Sequence, residues 1–179
     1  EAPGESRGIL RRLDQWSGVD LATHSFGQGV TVTPIQMATV FGAIANDGVL
    51  LKPKLVQYLS YWDNKSIQAI PTTVQQRVVS SKTARQILDI MTDVVDNGTA
   101  QNVKISGYSI AGKTGTAQKP KANGLGYEKK KYISSFIGVL PASTPKYIIS
   151  VMIDSPKRKY YGSTVAGPVF RELAIDVID

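Results

Sequence analysis

The eight residues Ser109-Ile-Ala-Gly-Lys-Thr-Gly-Thr116 constrain this chain more than any other stretch. Small and β-branched residues alternate along it, which is a strand pattern. Lys113, Thr114, Gly115 and Thr116 place an ammonium, two hydroxyls and a residue without a side chain on one short strand. Such an edge is cationic and rich in hydrogen-bonding groups. Its glycine leaves room for a ligand backbone to lie alongside.

A second pattern overlaps the first. Gly107-Tyr-Ser-Ile-Ala-Gly-Lys113-Thr114 satisfies G-x-x-x-x-G-K-[ST], the phosphate-binding loop. That loop needs a strand before its first glycine and a helix opening at its lysine, so that helix N–H groups face the phosphates. The residues after Lys113 are Thr-Gly-Thr-Ala-Gln-Lys-Pro120, poor helix material. The segment before Gly107 is short and polar. No apolar strand ending in Asp follows to hold a magnesium ion. Nucleotide binding at 107–114 therefore stands as the alternative, and an extended 109–116 as the expectation.

The length, 179 residues, fits one domain, and an apolar content of 42% is enough for a core. Lys plus Arg outnumber Asp plus Glu by 21 to 14. Much of the excess lies in Lys119, Lys121, Lys129, Lys130, Lys131 and Lys157-Arg-Lys159, the first five bracketing Asn123-Gly-Leu-Gly126. Solvated hairpin loops account for this better than nucleic-acid binding, which calls for interleaved aromatics or a basic helix face. A carboxylate-bearing substrate or an anionic envelope surface suits the charge equally well. There are no cysteines, so neither a disulfide framework nor a thiolate metal site is available. The single His24 has no serine–acid pattern near it and reads as a structural or surface histidine. No metal or cofactor is expected. The longest apolar run, Tyr147 to Ile153, is too short to cross a bilayer. Glu1-Ala-Pro-Gly does not resemble a natural start, and the chain reads as a cut through a longer protein.

Helix signals are clear in three places. Thr33-Pro-Ile-Gln36 supplies a cap, a first-turn proline and a capping box. The helix beyond it, to Ala45, is apolar nearly all round, which predicts deep burial. A second helix starts near Ser80-Ser81 with a stripe of Ala84, Ile87, Leu88, Met91, Val94 and Val95. A third begins around Gly167-Pro168, its stripe being Val169, Phe170, Leu173, Ala174 and Val177. An extended segment runs from Leu50 to Tyr61. The motif strand is followed by Ser134–Leu140 and Lys146–Ile153, joined by a Pro-rich turn, an antiparallel hairpin. The fold class is α+β. Three strands are few for a stable sheet, and the last would expose an edge rich in Ile and Val. More strands of this sheet are expected from elsewhere in a parent protein.

Several ordered stretches together resemble the transpeptidase domain of class B penicillin-binding proteins, in particular the division-type branch. Phe26-Gly-Gln-Gly-Val-Thr-Val-Thr-Pro-Ile-Gln-Met-Ala38 and Ile44-Ala-Asn-Asp-Gly48 are similar to a helix that follows that family's second signature. Gly107 to Ala117 resembles its third signature, K-T-G-T. Tyr132 to Ala142 and Tyr160 to Phe170 resemble the next strand and the entry to the C-terminal helix. The resemblance covers nearly the whole chain. It implies the penicillin-binding protein/serine β-lactamase-like fold, a five-stranded antiparallel sheet between helices. Residues 1–179 would be the C-terminal portion of the domain, completed by an N-terminal part of the same domain that carries two further strands.

The implied chemistry is acyl transfer in peptidoglycan cross-linking and cell division. A serine attacks the D-Ala–D-Ala amide of a stem peptide, an amine resolves the acyl-enzyme, and β-lactams trap the serine. The implied partners are stem peptides and β-lactams. The implied setting is extracytoplasmic, on the bacterial inner membrane, through an N-terminal anchor outside this chain. The family's nucleophile sits in S-x-x-K and faces S-x-N. The one S-x-x-K string here, Ser143-Thr-Pro-Lys146, comes after the motif strand instead of before it, and S-x-N is absent. Acylation by this chain alone is therefore not expected. By resemblance, Lys113 supplies positive potential and the hydroxyls of Thr114 and Thr116 meet a terminal carboxylate. The N–H of Thr116 completes the oxyanion hole, and Gly115 admits the substrate as an added strand. Gln118 reaches toward ligand, and Tyr132, Tyr160 and Tyr161 form an aromatic wall. An edge strand with an exposed lysine, and hairpin-end aromatics that cover the core, are the ordinary readings of the same residues. A catalytically dead module that binds cell-wall peptides is the remaining alternative.

Overall fold

The computed structural model describes residues 4–25, 27, 29–60, 62, 67–121 and 126–178. In chain order the elements are α1 (Asp20–His24), α2 (Pro34–Ala45), β1 (Val49–Leu51), β2 (Tyr58–Ser60), β3 (Ile67–Ala69), β4 (Val74–Arg77), α3 (Ser81–Asp96), β5 (Ala111–Pro120), β6 (Tyr127–Leu140), β7 (Tyr147–Asp154) and α4 (Gly162–Ile178). Short 3-10 turns at Leu13–Gln15 and Gln101–Val103 complete them.

Local chemistry starts the helices where the sequence marks them. The Gln36 N–H donates to Thr33 Oγ1 at 3.2 Å, and the Thr33 N–H donates to Gln36 Oε1 at 2.9 Å. This reciprocal cap satisfies two orphan donors of α2. Gln36 Nε2 also donates to the Arg7 carbonyl at 3.1 Å and ties the N-terminal arm to the helix. At α3 the Thr83 N–H donates to Ser80 Oγ at 3.0 Å. In the arm, the Asp20 carboxylate accepts from the Ser17 N–H and hydroxyl and pairs with Arg11 at 2.8 Å. His24 is structural: its Nδ1–H donates to the Asp20 carbonyl at 2.7 Å and its ring stacks on Trp16 at 4.4 Å.

β5, β6 and β7 form one antiparallel sheet in that order, with Lys113 opposite Ile137, Thr116 opposite Ser134 and Phe136 opposite Val151. Alternation sends successive side chains to opposite faces. Ala111, Ile137 and Val139 pack with Phe41 of α2 and Met91 of α3. Phe136 and Leu140 point the other way and pack with Phe170 and Ala174 of α4, Val95 of α3 and Val103. The Phe136 and Phe170 rings meet edge to face at 4.6 Å, both fully buried. Gly138 makes that approach possible, since a Cβ there would lie 2.6 Å from a Phe170 ring carbon.

The structure departs from the sequence reading in four places. The segment from Leu50 onward is not one extended piece: β1 pairs with β4 and β2 with β3, giving two small two-stranded sheets. Tyr61 of that segment, with Phe26 and Gln28, lies outside the described residues. β2 and β3 are exposed at every position, so they carry no inward-facing alternation for a sequence reading to detect. α2 is not deeply buried. Phe41 packs on the sheet and Ala43 is buried, while Val40 is 51% exposed, because nothing among the described residues covers it. α4 begins at Gly162, five residues before the expected start, with Pro168 inside it. Pro168, seven positions into the helix, has no N–H for the Thr164 carbonyl, and Asn102 Nδ2 donates to the neighbouring Ser163 carbonyl at 2.6 Å. Of the expected α4 stripe, Phe170 and Ala174 are buried, while Val169, Leu173 and Val177 are exposed. The expected open outer edge of β7 is present, since β7 pairs only with β6 among the described residues.

Truncating Phe170 opens a cavity under the sheet. Phe170→Ala in the intact protein is expected to cost about 3–5 kcal/mol in urea unfolding. A loss below about 1 kcal/mol would show that α4 is not anchored through this ring.

Candidate active site

β5 is an edge strand among the described residues, bonded only to β6. Its register is regular from Ala111 to Gln118, so Lys113 and Gly115 share the face toward α2 and α3, and Thr114, Thr116 and Gln118 share the face toward α4. Lys113 Nζ donates to the Thr114 carbonyl at 2.6 Å, holding its charge against the strand. Thr114 Oγ1 lies 3.5 Å from Thr99 Oγ1. Thr116 Oγ1 accepts a hydrogen bond of 3.0 Å from the Gly162 N–H. Gln118 is exposed and pairs in register with Tyr132.

Two glycines bring α4 onto this strand. A Cβ at Gly162 would run into the carbonyls of Gly115 and Ser135 and crowd the Gly115 nitrogen, and one at Gly115 would meet Ser135 Oγ. Gly115 N and O and Ser135 O thus lie together on the seam between β5 and β6. In an antiparallel pair the residues alternate between bonding the neighbour and pointing away from it. With Gly115 bonded to β6, the backbone N–H of Thr116 points off the free edge. That is the orientation an oxyanion donor needs.

The three tyrosines come together. Tyr132 and Tyr160 stack at 4.3 Å and 14°, and Tyr161 lies 4.6 Å from Tyr160. Tyr160 Oη donates to Tyr161 Oη at 3.4 Å; this bond and the Tyr161 phenol beside it hold the Tyr160 hydroxyl above its ordinary titration range. The turn that carries Tyr160 is fastened from beneath by Ser134, whose hydroxyl, fully buried, donates to the Tyr160 carbonyl at 2.5 Å.

Of the basic residues expected in loops, Lys121 and Lys157-Arg-Lys159 lie outside the strands and helices, but Lys119 lies on β5 and Lys129, Lys130 and Lys131 on β6. Strand pairing continues past the register shift between Gln118 and Pro120, and this carries them out of the expected loop. Residues 123–125 of the bracketed loop lie outside the described residues. Lys119 pairs with Asp154 of β7 at 2.5 Å, and Lys131 with Glu128 at 2.5 Å. The Lys119 bond first, then the Ser155 hydroxyl, holds the Asp154 carboxyl below its ordinary value.

Ser143 stands apart. Its N–H donates to Ser109 Oγ at 3.2 Å in the turn between β6 and β7. Thr116 lies seven positions along the chain from Ser109, roughly 23 Å if fully extended at about 3.3 Å per residue. A nucleophile there does not reach a carbonyl held at Thr116. Lys113 lies inside a strand, not at the head of a helix, so residues 107–114 are not a phosphate-binding loop. No cluster of His, Asp or Glu able to hold a metal occurs among the described residues. Sequence reading missed Ser134 and Gly162. Ser134 is identified only through the β5–β6 register, and Gly162 was hidden by the expected later start of α4.

Residues 1–174 match the family profile described as penicillin binding protein transpeptidase domain. The chain is 37% identical to the penicillin-binding protein PbpB of Mycolicibacterium smegmatis over 96% of its own length and 28% of that protein's. It is 37% identical to the stage V sporulation protein D of Bacillus subtilis, over 97% of this chain and 27% of the relative. Among solved structures it is similar to penicillin binding protein 3 of Mycobacterium tuberculosis complexed with aztreonam, with a TM-score of 0.87 at 35% identity, covering 98% of this chain and 41% of the other. The chain thus spans less than a third of the length of these curated relatives.

The Lys119–Asp154 pair gives a pH test. The folded carboxyl titrates below its ordinary 3.8, so between the two values the unfolded chain holds the proton and the fold does not. The pair's stabilisation is full above that ordinary value and is lost as pH falls through the lower, folded one. Thermal melting of the intact Asp154→Asn variant and of wild type is expected to differ most above that ordinary value and to converge as pH falls below it. A gap that widens on acidification would contradict the assignment.

Proposed function

We propose, from the premise that this chain belongs to the penicillin-binding protein transpeptidase family, that it forms one wall of the active site of a peptidoglycan D,D-transpeptidase. The observation that carries the reading is Lys113-Thr-Gly-Thr116 on a free strand edge, with the Thr116 N–H directed away from β6. A stem peptide adds to β5 as an extra strand, and Gly115 keeps that approach clear of side chains.

The remaining groups then have defined tasks. The Thr116 N–H faces the oxygen that becomes negative when the D-Ala–D-Ala carbonyl is attacked, and one such donor is typically worth about 3 kcal/mol of barrier. The Thr116 hydroxyl, and the Thr114 hydroxyl one step along the same face, meet the terminal carboxylate. Lys113 supplies positive potential, and Tyr132, Tyr160 and Tyr161 border the cleft with Gln118. The nucleophilic serine and its lysine belong to the part of the domain N-terminal to this chain, and that part completes the sheet. The aztreonam complex of the mycobacterial relative favours β-lactams as ligands of the same wall. The setting is the outer side of the cytoplasmic membrane, with an anchor that is not one of the described helices, none of which is long and apolar enough to span it.

Fluorescent penicillin is expected to label the intact protein covalently and to leave this chain alone unlabelled. Thr116→Val, which keeps shape and removes the hydroxyl, is expected to lower the labelling rate of the intact protein about tenfold. Nucleotide binding that depends on Lys113 would overturn the reading. An intact protein that binds stem peptides but forms no covalent adduct would make it a binding module.

A further inference from the structure

We propose that Ser134 and Gly162 are positioning residues that aim the Thr116 hydroxyl at the carboxylate of the acyl donor. The proposal rests on the transpeptidase reading above and concerns how its carboxylate subsite is built. Thr116 and Ser134 are directly opposite each other across β5 and β6, on the face toward α4. Each hydroxyl bonds the same three-residue turn from below. Ser134 Oγ donates to the Tyr160 carbonyl at 2.5 Å, and the Gly162 N–H donates to Thr116 Oγ1 at 3.0 Å. Ser134 is fully buried, so its bond is sheltered from competing water.

The directions of these bonds decide their effect. A threonine hydroxyl has one proton to give and two lone pairs to receive with. With Gly162 N–H occupying a lone pair, the Thr116 proton is turned away from α4 and is available to an acceptor at the strand edge. Accepting a hydrogen bond also polarises the hydroxyl and strengthens it as a donor. A carboxylate is the acceptor that profits most, because hydrogen bonds to charged groups are the strong ones. Gly162 cannot be replaced without cost to this contact. Any Cβ there meets the Gly115 and Ser135 carbonyls, and the turn must lift off the sheet. Lifting it breaks the bond to Thr116 and withdraws Tyr160 from its stack on Tyr132.

The test compares acylation of the intact protein by benzylpenicillin and by its methyl ester, which lacks the charged carboxylate. The ratio of the two second-order rate constants reads the carboxylate subsite alone. Gly162→Ala is expected to lower that acid-to-ester ratio about tenfold, and Ser134→Ala, which preserves the buried volume, about threefold or more. In a Thr116→Val background Ser134→Ala is expected to leave the ratio where Thr116→Val has already put it, because both act through one hydroxyl. A ratio unmoved by both single variants while the two rate constants fall together would reduce Ser134 and Gly162 to structural support and overturn the proposal. So would a further drop in the ratio when Ser134→Ala is added to Thr116→Val. Wild-type protein acylated by neither compound would instead refute the transpeptidase reading, and the proposal with it.

Discussion

β5 commits the backbone of Gly115 to β6 and leaves the backbone of Thr116 facing outward. The orientation of the site follows from that one-sided pairing. It fixes which side chains share the α4 face, places Thr116 opposite Ser134, and sets an N–H where a developing negative charge can be met. The pairing is held from both sides. Phe41 and Met91 press on one face through Ile137 and Val139, and Phe170 presses on the other through Phe136. Close-packed cores resist displacement, which favours a strand edge that presents its groups in a fixed row.

Glycine sets how closely the layers approach. At Gly138 the missing side chain admits Phe170, and at Gly162 it admits the first turn of α4 to the β5–β6 seam. The second contact couples fold to chemistry, since the helix that fills the core also supplies an N–H to a hydroxyl at the site. The stacked tyrosines are tied to the same segment through Ser134. Packing, the proposed carboxylate subsite and the stacked tyrosines thus share a few atoms around Thr116.

Much of this was legible in the sequence where the information is local. The capping box at Thr33 and Gln36, the helix start near Ser80-Ser81 and the extended run of Lys113 to Thr116 depend on neighbours within a few residues, and they read correctly. Pro168 misled the reading of α4, because a proline looks like a helix start whether or not a turn precedes it. β2 and β3 were missed because they have no buried face to impose alternation. The fastening of Thr116 was not legible, since it depends on the β5–β6 register and on contacts across 46 positions of sequence. The even apolar coating of α2 suggested burial, but only Phe41 and Ala43 are buried and Ile35 and Val40 are exposed. The exposed Val40, Val169, Leu173 and Val177, with the open edge of β7, are consistent with a domain whose remaining strands lie in the part of the relatives this chain does not span.

The most direct measurement is a crystal structure of the intact protein acylated by a penicillin. The lactam carbonyl oxygen is expected within hydrogen-bonding distance of the Thr116 nitrogen, and the ligand carboxylate on Thr116 Oγ1, with the Gly162 N–H still bonded behind it. An adduct whose carbonyl oxygen faces away from β5, or whose carboxylate is bound by other residues with Thr116 Oγ1 uninvolved, would contradict the account.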